Sequence, residues 1–180
     1  YAIAPAVVGV MANYFFSERF GLLYHLFNDL WGFNWYESVF DAYIYVIIAG
    51  SWKQISANFI FFLAGLQAIQ KSVIEASMID CKSSFRRFWT ITFPLLMPTT
   101  FFLIIINITY AFFDTFGIID TTTIGAPSGE TRTLVYKAYM DGFRGLDLGS
   151  AGAQSIMMML IVLVITIFQF RYIEGKIHYN

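Results

Sequence analysis

Residues 88–113 read FWTITFPLLMPTTFFLIIINITYAFF, 26 consecutive positions without a charged side chain. A helix needs roughly 20 apolar residues to cross about 30 Å of hydrocarbon, so this stretch alone makes lipid the expected solvent. Working outward, residues 148–170, LGSAGAQSIMMMLIVLVITIFQF, form a second charge-free window of 23 positions. Residues 42–70 are interrupted only by Lys53, and residues 1–17 carry no charge at all. The pattern predicts an all-α, polytopic membrane bundle with four transmembrane helices. Pro5 and Pro98 fall inside two of these windows, which membrane helices tolerate where neighbours compensate the lost donor. The first window starts at Tyr1 with no initiator Met, basic leader or cleavage-like tripeptide. It therefore reads as the interior of a longer protein whose N-terminal helices are missing, and not as a signal peptide.

Composition agrees. Of 180 residues 58% are hydrophobic and 13% charged, against about 25% charged in a typical soluble domain. Lys and Arg total 11 and Asp and Glu 12, so no basic excess exists to grip a phosphate backbone and no nucleic-acid partner is expected. Cys81 is the only cysteine, and His25 and His178 lie far apart in sequence; neither a disulfide nor a Cys/His metal cluster is expected. There is no GxxxxGK[ST] loop, no HExxH and no GxSxG, so no catalytic residue is assigned and no cofactor is expected on this chain. Asp114 and Asp120 read as solvated loop acids, since nothing nearby in sequence supplies an orienting base. No repeat or Pro/Gly/Ser-rich linker divides the chain, which reads as one membrane domain.

Basic residues orient the spans, because Lys and Arg are retained on the cytoplasmic side. Residues 71–93 carry Lys71, Lys82, Arg86 and Arg87, and the tail after the last window carries Arg171 and Lys176. Two crossings separate loop from tail, which places both on one face. The opposite segments are acidic: residues 17–41 hold Arg19 beside four acids, and residues 114–147 hold three basic residues beside five acids. The loop and the C-terminus are therefore expected in the cytoplasm.

Within that loop Ser72 and Glu75 have capping-box spacing, which predicts a helix start at Ser72. Ile74, Met78 and Cys81 then recur at i, i+4 and i+7 as an apolar face, with Glu75 and Asp80 off it. A second short helix is expected with Phe85, Phe88 and Trp89 on one side and Arg86 and Arg87 on the other, ending where Pro94 opens the next span. On the residues alone two readings stay open: a helical pair docked into a protein groove, or an amphipathic hairpin resting on lipid headgroups.

The string from Glu75 to Pro94, EASMIDCKSSFRRFWTITFP, resembles the EAA loop of binding-protein-dependent ABC importer permeases, whose pattern is EAA, three residues, G, nine residues, I, one residue, LP. Glu75, Ala76, Ile91 and Pro94 match; Ser77 replaces the second Ala, Cys81 the Gly and Phe93 the Leu. WKQISANFIFFLAGLQAI before the loop, LLMPTTFF after it and AGAQS before the last span are similar to the family too. SWKQIS, YAFFDTFGIID, GLDLGSAGAQS and FQFRYIEGKI resemble most closely the branch that carries sn-glycerol 3-phosphate. The resemblance implies a partial transmembrane domain of the type I importer kind over residues 1–180, with a cytoplasmic coupling loop at about residues 67–93. It implies that Glu75, Ala76, Ser77, Ile79, Asp80 and Cys81 form the segment that docks in a groove of an ATPase subunit. The implied partners are a sister permease, a cytoplasmic ATPase dimer that uses ATP and Mg, and a periplasmic or lipid-anchored substrate-binding protein, all at a bacterial inner membrane. The implied cargo is glycerol 3-phosphate or its diesters; a sugar or oligosaccharide is the alternative, and a non-transporting scaffold or membrane enzyme a remote one. A Gly at position 81 would permit positive φ, where a Cβ costs on the order of 1 kcal/mol, so Cys81 implies a reshaped turn; its thiol is read as a small apolar group and not a redox sensor.

Polar residues within the spans are the second set of candidates. Lys53 is costly in hydrocarbon and is expected to face a bundle interior, a water cavity or a partner. It either meets an anionic substrate or braces a helix. Asn58, Asn107 and Asp114 are candidates for the translocation path, with interhelical hydrogen bonding as the structural alternative for the asparagines. Gly125, Ala126 and Pro127 read as a turn in the external loop.

Overall fold

The computed structural model describes residues 3–81 and 83–173; residues 1–2, Lys82, the side chains of Asp80, Tyr172 and Ile173, and the tail at 174–180, which includes Lys176, lie outside the described residues. Among the described residues every regular element is helical. The apolar windows become α1 (Pro5–Phe15), α3 (Val39–Ala68), α7 (Met97–Phe113) and α10 (Leu148–Ile173). Between them lie α2 (Leu22–Trp31), α4 (Lys71–Asp80), α5 (Ser84–Arg87), α6 (Phe93–Leu95), α8 (Phe116–Thr121) and α9 (Leu134–Tyr139). Two of these helices, α3 and α10, are long and apolar enough to cross a membrane unbroken. The window at 88–113 is a bent pair, Ser84–Leu95 and Met97–Phe113, meeting at 69°, and α1 is a shorter apolar helix.

The bend follows from two prolines four residues apart. Neither Pro94 nor Pro98 can donate to the carbonyl one turn back, and each ring crowds that carbonyl. The chain absorbs the first as a π-helical turn over Phe88–Thr92 and the second as a break at Leu96, whose ψ of −3° departs from the helical value. A mid-helix π-turn and a proline are the usual causes of a sharp kink.

The helices pack as a bundle in which α1 lies on α8 and α3, α3 on α7, and α10 on α7 and α9. Its densest part is aromatic and gathers where α1 ends and α3 begins. Tyr45 is fully buried there with Phe16, Phe33, Trp35 and Val8. Tyr45 Oη donates to Asn13 Oδ1 at 2.8 Å, Asn13 Nδ2 donates to the Thr121 carbonyl, and Trp35 Nε1 donates to the Phe16 carbonyl at 3.2 Å. A polar seam thus joins α1, α3 and α8 inside an apolar packing. Much of the remaining apolar surface is exposed, Leu160, Val164 and Phe168 on α10 among it, as a bilayer solvent requires.

Candidate functional site

The first candidate site is α4 and the turn after it. α3 ends at Ala68, and only Ile69 and Gln70, both extended, intervene before α4 starts at Lys71. The helix therefore starts earlier than the capping-box spacing predicts. Ser72 sits inside the first turn, and no side chain caps the helix at Gln70. The expected apolar face is also redistributed. Ser77 is buried, its Oγ donating to the Ile74 carbonyl at 2.6 Å, while Ile74 and Cys81 are half-buried on the same side. Met78 is instead exposed, together with Val73 and Ile79, the last 84% exposed. Glu75 and Ala76 are exposed as well. Among the described side chains, the outward surface of α4 thus mixes the apolar Val73, Met78 and Ile79 with Lys71, Ser72 and Glu75, a combination that suits a partner groove with a polar rim.

Cys81 ends this helix at φ −128°. That is ordinary extended backbone, so a Cβ costs nothing there and the turn needs no glycine. Arg87 folds back to tie the loop, with Nη1 donating to the Cys81 carbonyl and Nη2 to Ser84 Oγ, both at 3.4 Å. Phe85 and Trp89 remain exposed on the second short helix and its π-turn. A shallow cavity lined by Ser72, Val73, Ala76, Ser77 and Ile91 separates α4 from that turn.

The second candidate site lies between α3 and α7. Asn58 and Asn107 exchange hydrogen bonds: Asn107 Nδ2 donates to Asn58 Oδ1 at 2.8 Å, and Asn58 Nδ2 donates to Asn107 Oδ1 at 3.2 Å. Asn107 Nδ2 also reaches the Leu103 carbonyl at 2.7 Å. Gln54, which the sequence reading passed over, joins them through Nε2 to Asn107 Oδ1 at 3.3 Å. Its signal was available, since it stands one turn before Asn58 in an apolar run. One turn along α7, Tyr110 receives Lys53, whose Nζ lies 4.5 Å from the ring centroid. Lys53, Gln54, Asn58, Asn107 and Tyr110 therefore form one polar strip across two helices. Gln54 and Asn58 also line a cavity of about 300 Å³ with Phe61, Leu103 and Ile106. Asp114 is not part of the strip; it is exposed at the end of α7.

The third feature is the loop at 122–133. It turns at Gly125 and Gly129, with φ of +87° and +84°, around a cis Ala126–Pro127 bond. Thr131 Oγ1 donates to the Ala126 carbonyl at 2.8 Å and lies 2.9 Å from Thr123 Oγ1, within hydrogen-bond distance. A Cβ on Gly125 would stand 2.6 Å from Arg132 Cγ, so the glycine lets the arginine stem lie across the turn.

This chain, over residues 1–179, matches the family described as binding-protein-dependent transport system inner membrane component. The chain belongs to that family. Like its fellow inner membrane components, it is a helical membrane protein. Among its relatives, the sn-glycerol-3-phosphate transport system permease protein UgpA of Rhizobium meliloti is 52% identical over the whole of this chain and 62% of the relative. UgpA of Agrobacterium fabrum is also 52% identical, with the same coverage. UgpA of an Escherichia coli O6 strain is 48% identical over the whole chain and 61% of its own length. The chain thus spans about three fifths of the relatives it matches. These relatives are transport permeases by name.

Proposed function

We propose that this chain is part of the permease subunit of an ATP-driven importer that moves sn-glycerol 3-phosphate, or glycerophosphodiesters, across a bacterial inner membrane. Identity of about half the residues with named sn-glycerol-3-phosphate permeases, sustained along the entire chain, carries this reading. On it, α4 is the coupling helix. Glu75, Ala76, Ser77, Ile79, Asp80 and Cys81 meet a cytoplasmic ATPase subunit, and ATP with its Mg is bound and hydrolysed there, with no cofactor held by this chain. The exposed Val73, Met78 and Ile79 beside Glu75 support such a docking. The concentration of Lys and Arg in the loop supports its cytoplasmic side. A sister permease completes the translocation path, and a periplasmic or lipid-anchored binding protein delivers substrate.

Movement follows from how α4 is attached. It leaves α3 through two extended residues and returns through the π-turn and the bend at Leu96, so displacement of α4 acts on α3 and α7 together. The strip of Lys53, Gln54, Asn58 and Asn107 lies on those two helices and offers amides and one cation toward a small polar anion.

The test uses the full-length subunit with its sister permease, ATPase and binding protein in proteoliposomes. Glycerol 3-phosphate is expected to stimulate ATP hydrolysis. Stimulation by a sugar panel alone would retain the importer and change its cargo, while no stimulation by any of them would overturn the coupling assignment.

A further inference from the structure

The segment at 17–41 contains an amphipathic helix, α2, with three sides. At roughly 100° per residue, Leu22, Leu26 and Leu30 share an arc of about 80°, and all three are exposed, at 79, 54 and 61%. A second side, with Leu23, Tyr24 and Phe27, packs on the aromatic core. His25 and Asp29 form a third, exposed and polar, next to the leucines. A leucine side against a polar side is what a helix at a bilayer interface presents.

Depth decides what covers the leucines. At about 1.5 Å per residue, the 30-residue α3 is about 45 Å long, some 15 Å more than the hydrocarbon core. Centred on the bilayer, α3 enters hydrocarbon about five residues from its start, so Ile48 and Trp52 lie within it. Leu22 and Leu23 line one cavity of about 370 Å³ with Ile48, Trp52, Met11 and Phe15. By the same count Ile48 lies about 6 Å and Trp52 about 12 Å inside the hydrocarbon edge, so the start of α2 is beside the flank of the α1–α3 pair, within the outer half of the hydrocarbon, and not above its end. Tyr14, Phe20 and Trp31 are exposed around it, residue types that gather at membrane interfaces.

We propose that α2 lies in the bilayer interface where α1 ends and α3 begins, with Leu22, Leu26 and Leu30 on phospholipid and an acyl chain in the cavity beneath its start. A helix of another subunit packed over this side would meet the adjoining His25 and Asp29, whereas an interface keeps both at headgroup level. The proposal rests on the membrane location of the chain and is independent of its cargo.

Photo-crosslinking tests it. Benzoylphenylalanine is placed at Leu22, Leu26, Leu30 or His25 in the full-length subunit, assembled with its transport partners in vesicles of phosphatidylethanolamine and phosphatidylglycerol. Ile47, exposed on α3, serves as the lipid-facing control. Phospholipid adducts by mass spectrometry are expected at 22, 26 and 30 at a yield near that of 47, and several-fold lower at 25, which lies about 100° from the middle of the leucine arc. Crosslinks from the leucine positions to a protein subunit, or adducts no more frequent than at 25, would overturn the proposal. Three positions on one side keep the test decisive if one variant fails to assemble.

Discussion

Replacing Asn58 and Asn107 by leucine, singly and together, separates a structural role from a transport role for the polar strip. Each asparagine donates once to the other, at 2.8 and 3.2 Å. Hydrogen bonds between membrane helices average about 0.6 kcal/mol, so the exchanged pair is expected to couple by about 1.2 kcal/mol, roughly an eightfold change in an equilibrium constant. Asn107→Leu is expected to cost more than Asn58→Leu, because Asn107 also accepts from Gln54 at 3.3 Å. Its loss leaves both partner amides unsatisfied, at about 1–3 kcal/mol for a fully buried group. The double variant removes both partners and is expected to cost less than the sum of the singles. The assay is a double-mutant cycle on unfolding of the full-length subunit in mild detergent, alongside uptake in vesicles. A coupling near zero would refute the argument, since the distances would then carry no mutual stabilisation. Normal coupling with lost uptake in both singles would add a path role to the structural one.

Four further outcomes follow from the same geometry. Lys53→Met removes the contact over Tyr110, worth about 0.5–2 kcal/mol; if Lys53 meets the phosphate, the half-saturating substrate concentration rises while the complex still assembles, and loss of assembly identifies bracing instead. Ile79→Asp and Glu75→Ala on the exposed side of α4 are expected to change subunit stability by no more than about 0.5 kcal/mol while lowering substrate-stimulated ATP hydrolysis several-fold, and normal stimulation in both would remove α4 from the coupling role. Pro98→Ala restores a donor to the Pro94 carbonyl and is expected to reduce the 69° bend, read as a longer distance between spin labels at positions 85 and 113. Cys81→Gly is expected to leave stability unchanged or lower it by up to about 1 kcal/mol, measured by thermal unfolding, because φ at this position is already negative.

What could be read from the sequence depended on how local each cause was. The α3 and α10 windows follow from continuous apolar composition, and one lysine in the former did not hide it. The bend at Leu96 was visible only in part: each proline alone is tolerated, but the pair at Pro94 and Pro98 removes two donors one turn apart. The start of α4 was misplaced because the two extended residues after α3 set it, while Ser72 and Glu75 have the right spacing in the wrong register. Cys81 appeared costly by analogy with a glycine, and the backbone angle removes the cost. α2 was not anticipated because its leucines repeat within only ten residues, inside a segment that was read for its acidic charge alone. The asparagines were singled out, but their partner Gln54 was not. Its spacing one turn before Asn58 was legible, but the bond to Asn107 required α7 to lie opposite.

The same geometry determines where the bundle can flex. Asn58 lies ten residues before the end of α3 and Asn107 ten residues after the start of α7, so each is about 15 Å along its helix from the α4 side of the bundle. Equal lengths of α3 and α7 thus run from α4 to a common hydrogen-bonded clamp. Nearer α4 the two helices also close on each other at Gly65, where an added Cβ would lie 2.8 Å from Thr99 Oγ1 and 3.1 Å from Leu96 Cδ2. Small residues permit such close approach between membrane helices. Held at both places, α3 and the straight part of α7 resist sliding past one another. Two segments escape this constraint: the extended residues Ile69 and Gln70, and the π-turn at Phe88–Thr92, where the regular hydrogen-bond ladder is already interrupted. A force applied at α4 therefore meets a stiff α3–α7 pair and two compliant joints, and the joints flank α4 itself. On the proposed reading, the coupling helix swings on those joints first and turns α3 and α7 as one body, which keeps the polar strip between them intact while its exposure to either side of the membrane changes.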